Sequence, residues 1–128
     1  MYFPILFGMV FFILDRIAKH SFIHTGICNT GIAFGMHIPQ WIFFICIGSI
    51  FFGGLIWFVK SIQTSDYIRK WAIVCIFSGA LSNLIDRAIY GCVVDYLYII
   101  PHFIWFNIAD IFIFIGGIAF ITSYYRKK

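Results

Sequence analysis

The chain has 128 residues, of which 62% are hydrophobic, 22% aromatic and only 11% charged, with a mean hydropathy of +0.98. A soluble domain of this length buries too small a share of its surface to hide so many apolar side chains. The composition therefore excludes a soluble enzyme, a nucleic-acid-binding module and a disordered chain. It predicts one integral membrane domain over residues 1–128.

Four apolar stretches are the candidates for membrane-spanning helices, each of which needs about 20 residues. The second stretch, Trp41 to Val59, contains no charged residue. The first begins at Met1 and lacks the basic start and small-residue cleavage pattern of a signal peptide, so we interpret it as a retained helix. We predict an all-α, four-transmembrane-helix bundle with helices at about 1–18, 41–59, 71–89 and 108–125.

The basic residues predict how the bundle is oriented. Six of the nine lie after the second span and in the C-terminal tail, namely Lys60, Arg69, Lys70, Arg126, Lys127 and Lys128. We assign Arg16, Lys19 and Arg87 to the other two connections. Because basic residues favour the cytoplasmic side, both termini are predicted to be cytoplasmic, and the connections at about 20–40 and 87–106 to face outward.

The two outer connections contain turn and strand signals. Asn29 begins the turn-forming run N-T-G, and Gly91 begins the β-favouring run G-C-V-V-D-Y-L. We therefore predict a small outward-facing cap of short strands and turns on the bundle.

The acidic residues are five aspartates, and four of them are predicted at the outer side of the membrane. Asp66 lies in a cytoplasmic loop, whereas the outer group is Asp15, Asp86, Asp95 and Asp110. A charged side chain at membrane depth costs about 2.5–3.5 kcal/mol on insertion scales. Their collection on one side is therefore the strongest functional signal in the composition.

Two of these acids have a basic neighbour in sequence. Asp15 precedes Lys19 by four residues, the favourable order for a helical ion pair. Asp86 is adjacent to Arg87, so it can be neutralised locally or act in a helix cap. We interpret both acids as structural.

Asp95 and Asp110 have no basic residue within four positions, and we interpret them as the functional pair. Two carboxylates held close together share one proton, because both cannot ionise easily in a poor dielectric. The ionised group can then act as general base and the protonated group as general acid, as in aspartic proteases. A glycosidase also uses two carboxylates, but a sugar site needs more polar groups. The sequence has neither a G-x-S-x-G nor an E-x-x-H motif.

Five short blocks of the sequence carry a family resemblance. They are Asp15-Arg-Ile-Ala-Lys19, Asn29-Thr-Gly31-Ile-Ala33-Phe34, Gly79-Ala80-Leu-Ser-Asn83-Leu-Ile-Asp86-Arg87, Gly91-Cys-Val93-Val-Asp95-Tyr96 and Phe106-Asn107-Ile-Ala109-Asp110. In this order, and at these places in a four-helix topology, they resemble the signal peptidase II family of bacterial lipoprotein signal peptidases. Ala18 departs from the Ser or Thr that is common in that family, and Ser78 and Ser82 replace glycines often seen there.

The resemblance implies a membrane aspartyl endopeptidase in the bacterial cytoplasmic (inner) membrane, with its active site at the outer face. Its substrate would be a diacylglyceryl-modified prolipoprotein, cut just before the lipidated cysteine without a metal or organic cofactor. The implied catalytic residues are Asp95 and Asp110. The implied supporting and substrate-binding residues are Asn83, Arg87, Asn107, Asn29, Gly31, Asp15, Lys19 and Asp86. We expect a monomer that contacts membrane lipid and no nucleic acid.

The residues alone leave two other functions open. A small proton-coupled four-helix transporter would use Asp15. An assembly subunit would use the helix-contact glycines Gly53, Gly54, Gly116 and Gly117, although such residues more often serve internal packing. Cys28 and Cys92 are predicted on the disulfide-permissive side, and we expect free thiols there.

Overall fold

Three helices have defined bounds in the computed structural model. It describes residues 3–31, 41–42, 45, 48–49, 52–56, 59, 66–99 and 104–126. The helices are α1 (Phe3–Ser21), α2 (Tyr67–Tyr90) and α3 (Ile108–Tyr125). Every described residue between positions 41 and 59, where the second span is predicted, is also helical.

Helix α2 is longer than the span at 71–89 that hydropathy predicts, because a local cap starts it earlier. The side chain of Asp66 accepts a hydrogen bond from the backbone N–H of Arg69 at 3.1 Å. The helix ends at Gly91, which has a left-handed φ of 73° and donates its N–H to the Arg87 carbonyl oxygen. Arg87 is therefore helical and does not lie in the predicted outer connection.

The close packing of α2 against α3 depends on small residues. A Cβ atom at Gly79 would collide with the backbone carbonyl oxygen of Ala109. A Cβ at Gly116 would lie 2.7 Å from the carbonyl oxygen of Ala72. Both glycines let the two backbones approach, as is common in membrane bundles.

The other three glycines weighed for an assembly face, Gly53, Gly54 and Gly117, differ from one another in their surroundings. A Cβ at Gly54 would lie 2.7 Å from the ring of Phe77, so Gly54 is also an internal contact. A Cβ at Gly53 or Gly117 would meet nothing within 4 Å among the described residues.

The predicted cap of short strands is present as two antiparallel pairs. Strand β1 (Ile27–Asn29) pairs with β2 (Val93–Asp95), and β3 (Leu97–Tyr98) pairs with β4 (Trp105–Phe106). In the first pair Ile27 is opposite Asp95 and Asn29 is opposite Val93. The pairing brings the chain after α1 beside the chain after α2.

The distribution of side chains in the described residues is that of a membrane protein. Large apolar side chains point outward, including Phe114 at 69% and Ile121 at 58% exposure. Polar or charged residues are buried instead, among them Asp15, Lys19 and Asp86. Among the described helices, α2 and α3 are long and apolar enough to cross a membrane.

Candidate active site

Asp95 and Asp110 meet where the first strand pair joins the start of α3. Asp95 is the last residue of β2 and is 1% exposed, whereas Asp110 lies in the first turn of α3 and is half-buried. Asn107 links them: its side-chain amide donates to Asp95 Oδ1 at 2.7 Å, and its backbone N–H donates to Asp110 Oδ2 at 3.1 Å. The two predicted catalytic carboxyls therefore belong to one hydrogen-bonded group.

The helix cap of α3 places Asp110 at this point. Asn107 is the N-cap residue, and its side-chain oxygen accepts the backbone N–H of Asp110 at 3.0 Å. The reciprocal bond from Asn107 N–H to the Asp110 carboxylate completes a capping box. The same local motif thus starts the helix and orients the acid.

Three asparagines present their amino groups to the two carboxyls. Asn29 and Asn107 donate to the two oxygens of Asp95, at 2.9 and 2.7 Å, and Asn83 donates to Asp110 Oδ1 at 2.8 Å. Each carboxyl therefore accepts two N–H groups, since Asp110 also accepts the Asn107 backbone N–H.

The carbonyl oxygen of each asparagine side chain is held by a separate donor. Gly31 N–H donates to Asn29 at 3.0 Å, and the Lys19 ammonium donates to Asn83 at 2.6 Å. Asn107 accepts the backbone N–H at the start of α3, as described above. With the oxygen occupied by a donor, the amino group is the end that remains for the carboxyl.

The surroundings of Asp95 favour its protonated form. Burial raises the pKa of Asp95, and the nearby Asp110 carboxyl raises it further. The amide bonds from Asn29 and Asn107 and the charge of Lys19 act in the opposite direction. The net pKa lies above the ordinary aspartate value, as a general acid requires.

Arg87 connects this site to the chain that follows β1. Its guanidinium donates to the backbone carbonyl oxygen of Gly31 at 2.8 Å. It also interacts electrostatically with the carboxyls of Asp86, Asp95 and Asp110. The predicted supporting residues Arg87, Gly31 and Asn29 therefore lie around the acid pair. Ala33 and Phe34, which belong to the same sequence block as Asn29 and Gly31, fall outside the described residues.

An ion cluster of Asp15, Arg16, Lys19 and Asp86 lies between α1 and α2. The ammonium of Lys19 is 3.3 Å from Asp15 Oδ2 and 2.9 Å from Asp86 Oδ2. The predicted helical pair of Asp15 and Lys19 is confirmed. Asp86 was expected to be neutralised by the adjacent Arg87 or to act in a helix cap. The structure corrects this, because Asp86 forms ion pairs with Arg16 and Lys19 of α1. It also accepts the Val94 N–H at 3.2 Å.

The structure also changes where three of the basic residues counted for membrane orientation lie. The three basic residues assigned to outer connections, Arg16, Lys19 and Arg87, lie in helices α1 and α2. Two of them neutralise buried acids. Their positions are therefore set by ion pairing at the acid-rich end of the bundle rather than by loop composition.

Asp15 joins several elements at once. It accepts hydrogen bonds from Ser82 Oγ at 2.5 Å, Tyr96 Oη at 3.2 Å and Ala109 N–H at 3.2 Å. Burial, followed by the charge of Asp15, raises the pKa of the Tyr96 hydroxyl, which therefore stays protonated and donates. A carboxylate that is 1% exposed and held by these donors is poorly suited to the proton exchange of a transporter.

The expectation of free thiols at Cys28 and Cys92 is wrong. The two form a disulfide with their Cα atoms 5.5 Å apart, although they are separated by 64 residues. The antiparallel pairing of β1 with β2 places Cys28 opposite Val94, two residues beyond Cys92. Strand pairing therefore decides the distance, which sequence separation does not reveal.

The disulfide is expected to stabilise the cap. Replacing both Cys28 and Cys92 with serine should lower the free energy of unfolding by about 2–4 kcal/mol, because the cross-link limits the unfolded chain. Thermal unfolding in detergent, with and without reductant, measures this. Cys75→Ser is the control, since Cys75 is a free cysteine and its loss should leave the response to reductant unchanged. Equal unfolding temperatures for wild type and the double variant would contradict the prediction.

Three contributors to the site were missed by sequence reasoning. The sequence marked Ser82 only as a replacement for a glycine often seen in the family, Tyr96 as part of a block, and Arg16 as a topology marker. All three bind the buried acids. All three lie within the five blocks, but only tertiary packing reveals their partners. Within the described residues, no group of three or more His, Cys, Asp or Glu side chains could hold a metal ion.

The family model for signal peptidase (SPase) II matches residues 8–126. The chain belongs to the signal peptidase II family. A lipoprotein signal peptidase of Maridesulfovibrio salexigens is 32% identical over 128 residues, covering 94% of this chain and 82% of the relative. One from Desulforapulum autotrophicum is 34% identical over 111 residues, covering 80% and 68%.

The fold agrees with solved structures as well. A bacterial membrane enzyme determined by the in meso method at 2.3 Å resolution has a TM-score of 0.81 and 28% identity to this chain. The match covers 98% of this chain and 89% of the solved one. A second bacterial membrane enzyme, solved at 1.9 Å, has a TM-score of 0.75, again with 28% identity, covering 96% and 92%. This signal peptidase II family member is thus a membrane peptidase.

Proposed function

We propose that this membrane peptidase removes the signal peptide from diacylglyceryl-modified prolipoproteins, cutting just before the lipidated cysteine. The observation that carries the proposal is the pair Asp95 and Asp110, bridged by Asn107 and supplied with four N–H donors. The relatives named lipoprotein signal peptidases support the substrate class.

Asp110 and Asp95 take different roles in the proposed reaction. Asp110, which is half-buried, is ionised and removes a proton from the attacking water. Asp95, which is buried, holds the shared proton and gives it to the carbonyl oxygen of the scissile bond. The water oxygen bonds to the carbonyl carbon to form a tetrahedral intermediate.

The intermediate then collapses and restores both acids. The carbon–nitrogen bond breaks while Asp110 passes its proton to the leaving amine, and the hydroxyl derived from the carbonyl returns its proton to Asp95. The products are a signal peptide with a free carboxyl end and a lipoprotein that begins with the lipidated cysteine. The reaction uses no metal ion or organic cofactor.

The outer loop is proposed to hold the substrate over the acids. Asn29 and Gly31 are tied to Asp95 and Arg87, so the loop lies next to the reacting groups. The diacylglyceryl chains remain in the lipid and pack on the apolar bundle. Each buried CH₂ group contributes about 0.8 kcal/mol to binding, which places the scissile bond at the membrane surface.

We also propose that four helices span the bacterial inner membrane, with both termini cytoplasmic and the acid pair at the outer face. The arrangement of the elements supports this: α1 ends, α2 ends and α3 begins beside the acid pair. Asp66, Arg69 and Lys70 lie at the opposite end of α2. The enzyme is proposed to act as a monomer.

A cleavage assay tests the proposed function. Purified enzyme in detergent is given a diacylglyceryl-modified prolipoprotein and its unlipidated form, and the products are identified by mass spectrometry. Cleavage of the lipidated form alone, immediately before the modified cysteine, is the expected result. Equal cleavage of both forms, or a cut elsewhere, would overturn the proposed substrate class.

A further inference from the structure

Ser82 lies at the centre of the ion cluster, and its hydroxyl bridges an acid and a base of α1. The residue is 0% exposed. Its Oγ donates to Asp15 Oδ2 at 2.5 Å and accepts from Lys19 Nζ at 3.4 Å. Small size alone would explain neither contact, so Ser82 needs an account beyond helix packing.

Hydrogen bonds connect Asp15 to Asp110 through three side chains, in the order Ser82, Lys19 and Asn83. The chemistry of each group fixes which partner donates. A carboxylate only accepts, so the Ser82 proton is directed to Asp15 and a lone pair of the hydroxyl faces Lys19. An ammonium only donates, so it faces the carbonyl oxygen of Asn83 at 2.6 Å. The amino group of Asn83 is therefore the end that reaches Asp110, at 2.8 Å.

We propose that Ser82 is a positioning residue that holds Lys19 against the Asn83 carbonyl and so fixes the amide end that faces Asp110. The proposal rests on the proposed function in assigning Asp110 to the reacting pair. Without the hydroxyl, Lys19 keeps Asp15 and Asp86 as partners and is drawn toward them, away from Asn83. The amide can then rotate and turn its oxygen toward Asp110, which disfavours the ionised carboxyl.

The other charged and titratable groups that face Asp110 come from every element packed against it. They are Arg87 of α2, Asp95 of β2, Tyr96 after that strand, and Asp15 of α1, which binds the neighbouring Ala109 N–H. Replacement of Ser82 removes none of these groups, so Ser82→Ala tests the amide orientation.

The test compares Ser82→Ala with wild type on the lipidated prolipoprotein. We expect kcat to fall by about tenfold, the size of effect that a hydrogen bond to a charged group supports. KM should stay unchanged, because Ser82 does not touch substrate. The acid limb of the kcat pH profile should move to higher pH, because the ionised base is less favoured. In an Asn83→Ala background the same change should lower kcat no further.

Ser123→Ala is the matched control. Ser123 is also buried, at 1% exposure, and among the described residues its hydroxyl bonds within α3 alone, to the Phe120 carbonyl oxygen at 2.9 Å. The control variant also loses a serine hydroxyl, but far from the acid pair. It should keep the kcat and pH profile of wild type. Unfolding temperatures of both variants are measured alongside.

The outcomes separate this inference from the proposed function. A wild-type kcat and pH profile for Ser82→Ala, with Asp110→Asn inactive, would overturn the positioning role and leave the peptidase mechanism standing. A fall in kcat that matches loss of folded protein, with no shift of the acid limb, would also overturn it. One further measurement needs no substrate: in nitrogen–proton NMR, the Asn83 side-chain amide protons should exchange with solvent faster in Ser82→Ala. Unchanged exchange would overturn the inference even if the chain cut no lipoprotein.

Discussion

Replacing Asp95 or Asp110 with asparagine is expected to lower turnover of a lipidated prolipoprotein by about a thousandfold or more. Asparagine has the shape of aspartate but can neither take the proton of the water nor give one to the carbonyl oxygen. In each variant the new amide replaces one accepting oxygen with an amino group that faces an N–H donor, so some stability should be lost, whereas the helices and strand pairs should persist. Initial cleavage rates and unfolding temperatures in detergent measure both effects.

Asp66→Asn is the control for the same chemical change. Asp66 caps the other end of α2, and asparagine is an equally good N-cap residue, so both activity and stability should be unchanged. If Asp95→Asn or Asp110→Asn kept turnover within about tenfold of wild type, the assignment of the acid pair would be wrong.

The second large effect is expected at Asp86, on stability rather than on chemistry. Asp86 is 0% exposed and neutralises both Arg16 and Lys19. Asp86→Asn leaves these two cations with Asp15 as the remaining acid of the cluster. Breaking a buried ion pair by removing one partner costs about 3–5 kcal/mol. Denaturant unfolding in detergent should show a loss of this size.

A matched comparison distinguishes the cluster from ion pairs in general. Asp66 also lies near a basic residue, 4.0 Å from Arg69 Nε, but at the far end of α2 from the cluster. Because asparagine keeps the helix cap and the two atoms are too far apart for a hydrogen bond, Asp66→Asn should leave stability unchanged. Equal stability of wild type and Asp86→Asn would show that the buried cations are neutralised by other means.

Local sequence patterns predicted the parts of the fold that depend on near neighbours. The span at 108–125 coincides with α3, because its apolar run and the Asn107 cap define both the length and the start. The Asp15–Lys19 pair follows from helix geometry. The β-favouring run after Gly91 became β2 and β3. Five ordered blocks supplied the family, which the family model confirms.

The missed parts depend on contacts between distant residues. Asp86 binds Arg16 across 70 positions, whereas the sequence offered Arg87 as the nearest base. Cys28 reaches Cys92 because two strands pair. The role of Ser82 depends on how α1 packs against α2, and no local pattern contains that information. These partners come from tertiary packing, so spacing along the chain could not reveal them.

The pH dependence of kcat on the lipidated substrate tests the central claim, that Asp95 and Asp110 share one proton, most directly. Turnover should fall at low pH, where the base is protonated, and at high pH, where the acid loses its proton. Because burial raises the pKa of Asp95, the alkaline limb should lie above the ordinary carboxyl range. A bell-shaped profile for wild type is the predicted result, with the alkaline limb absent from any residual turnover of Asp95→Asn and the acid limb absent from that of Asp110→Asn. A profile with only an acid limb and a flat alkaline side would contradict a shared proton.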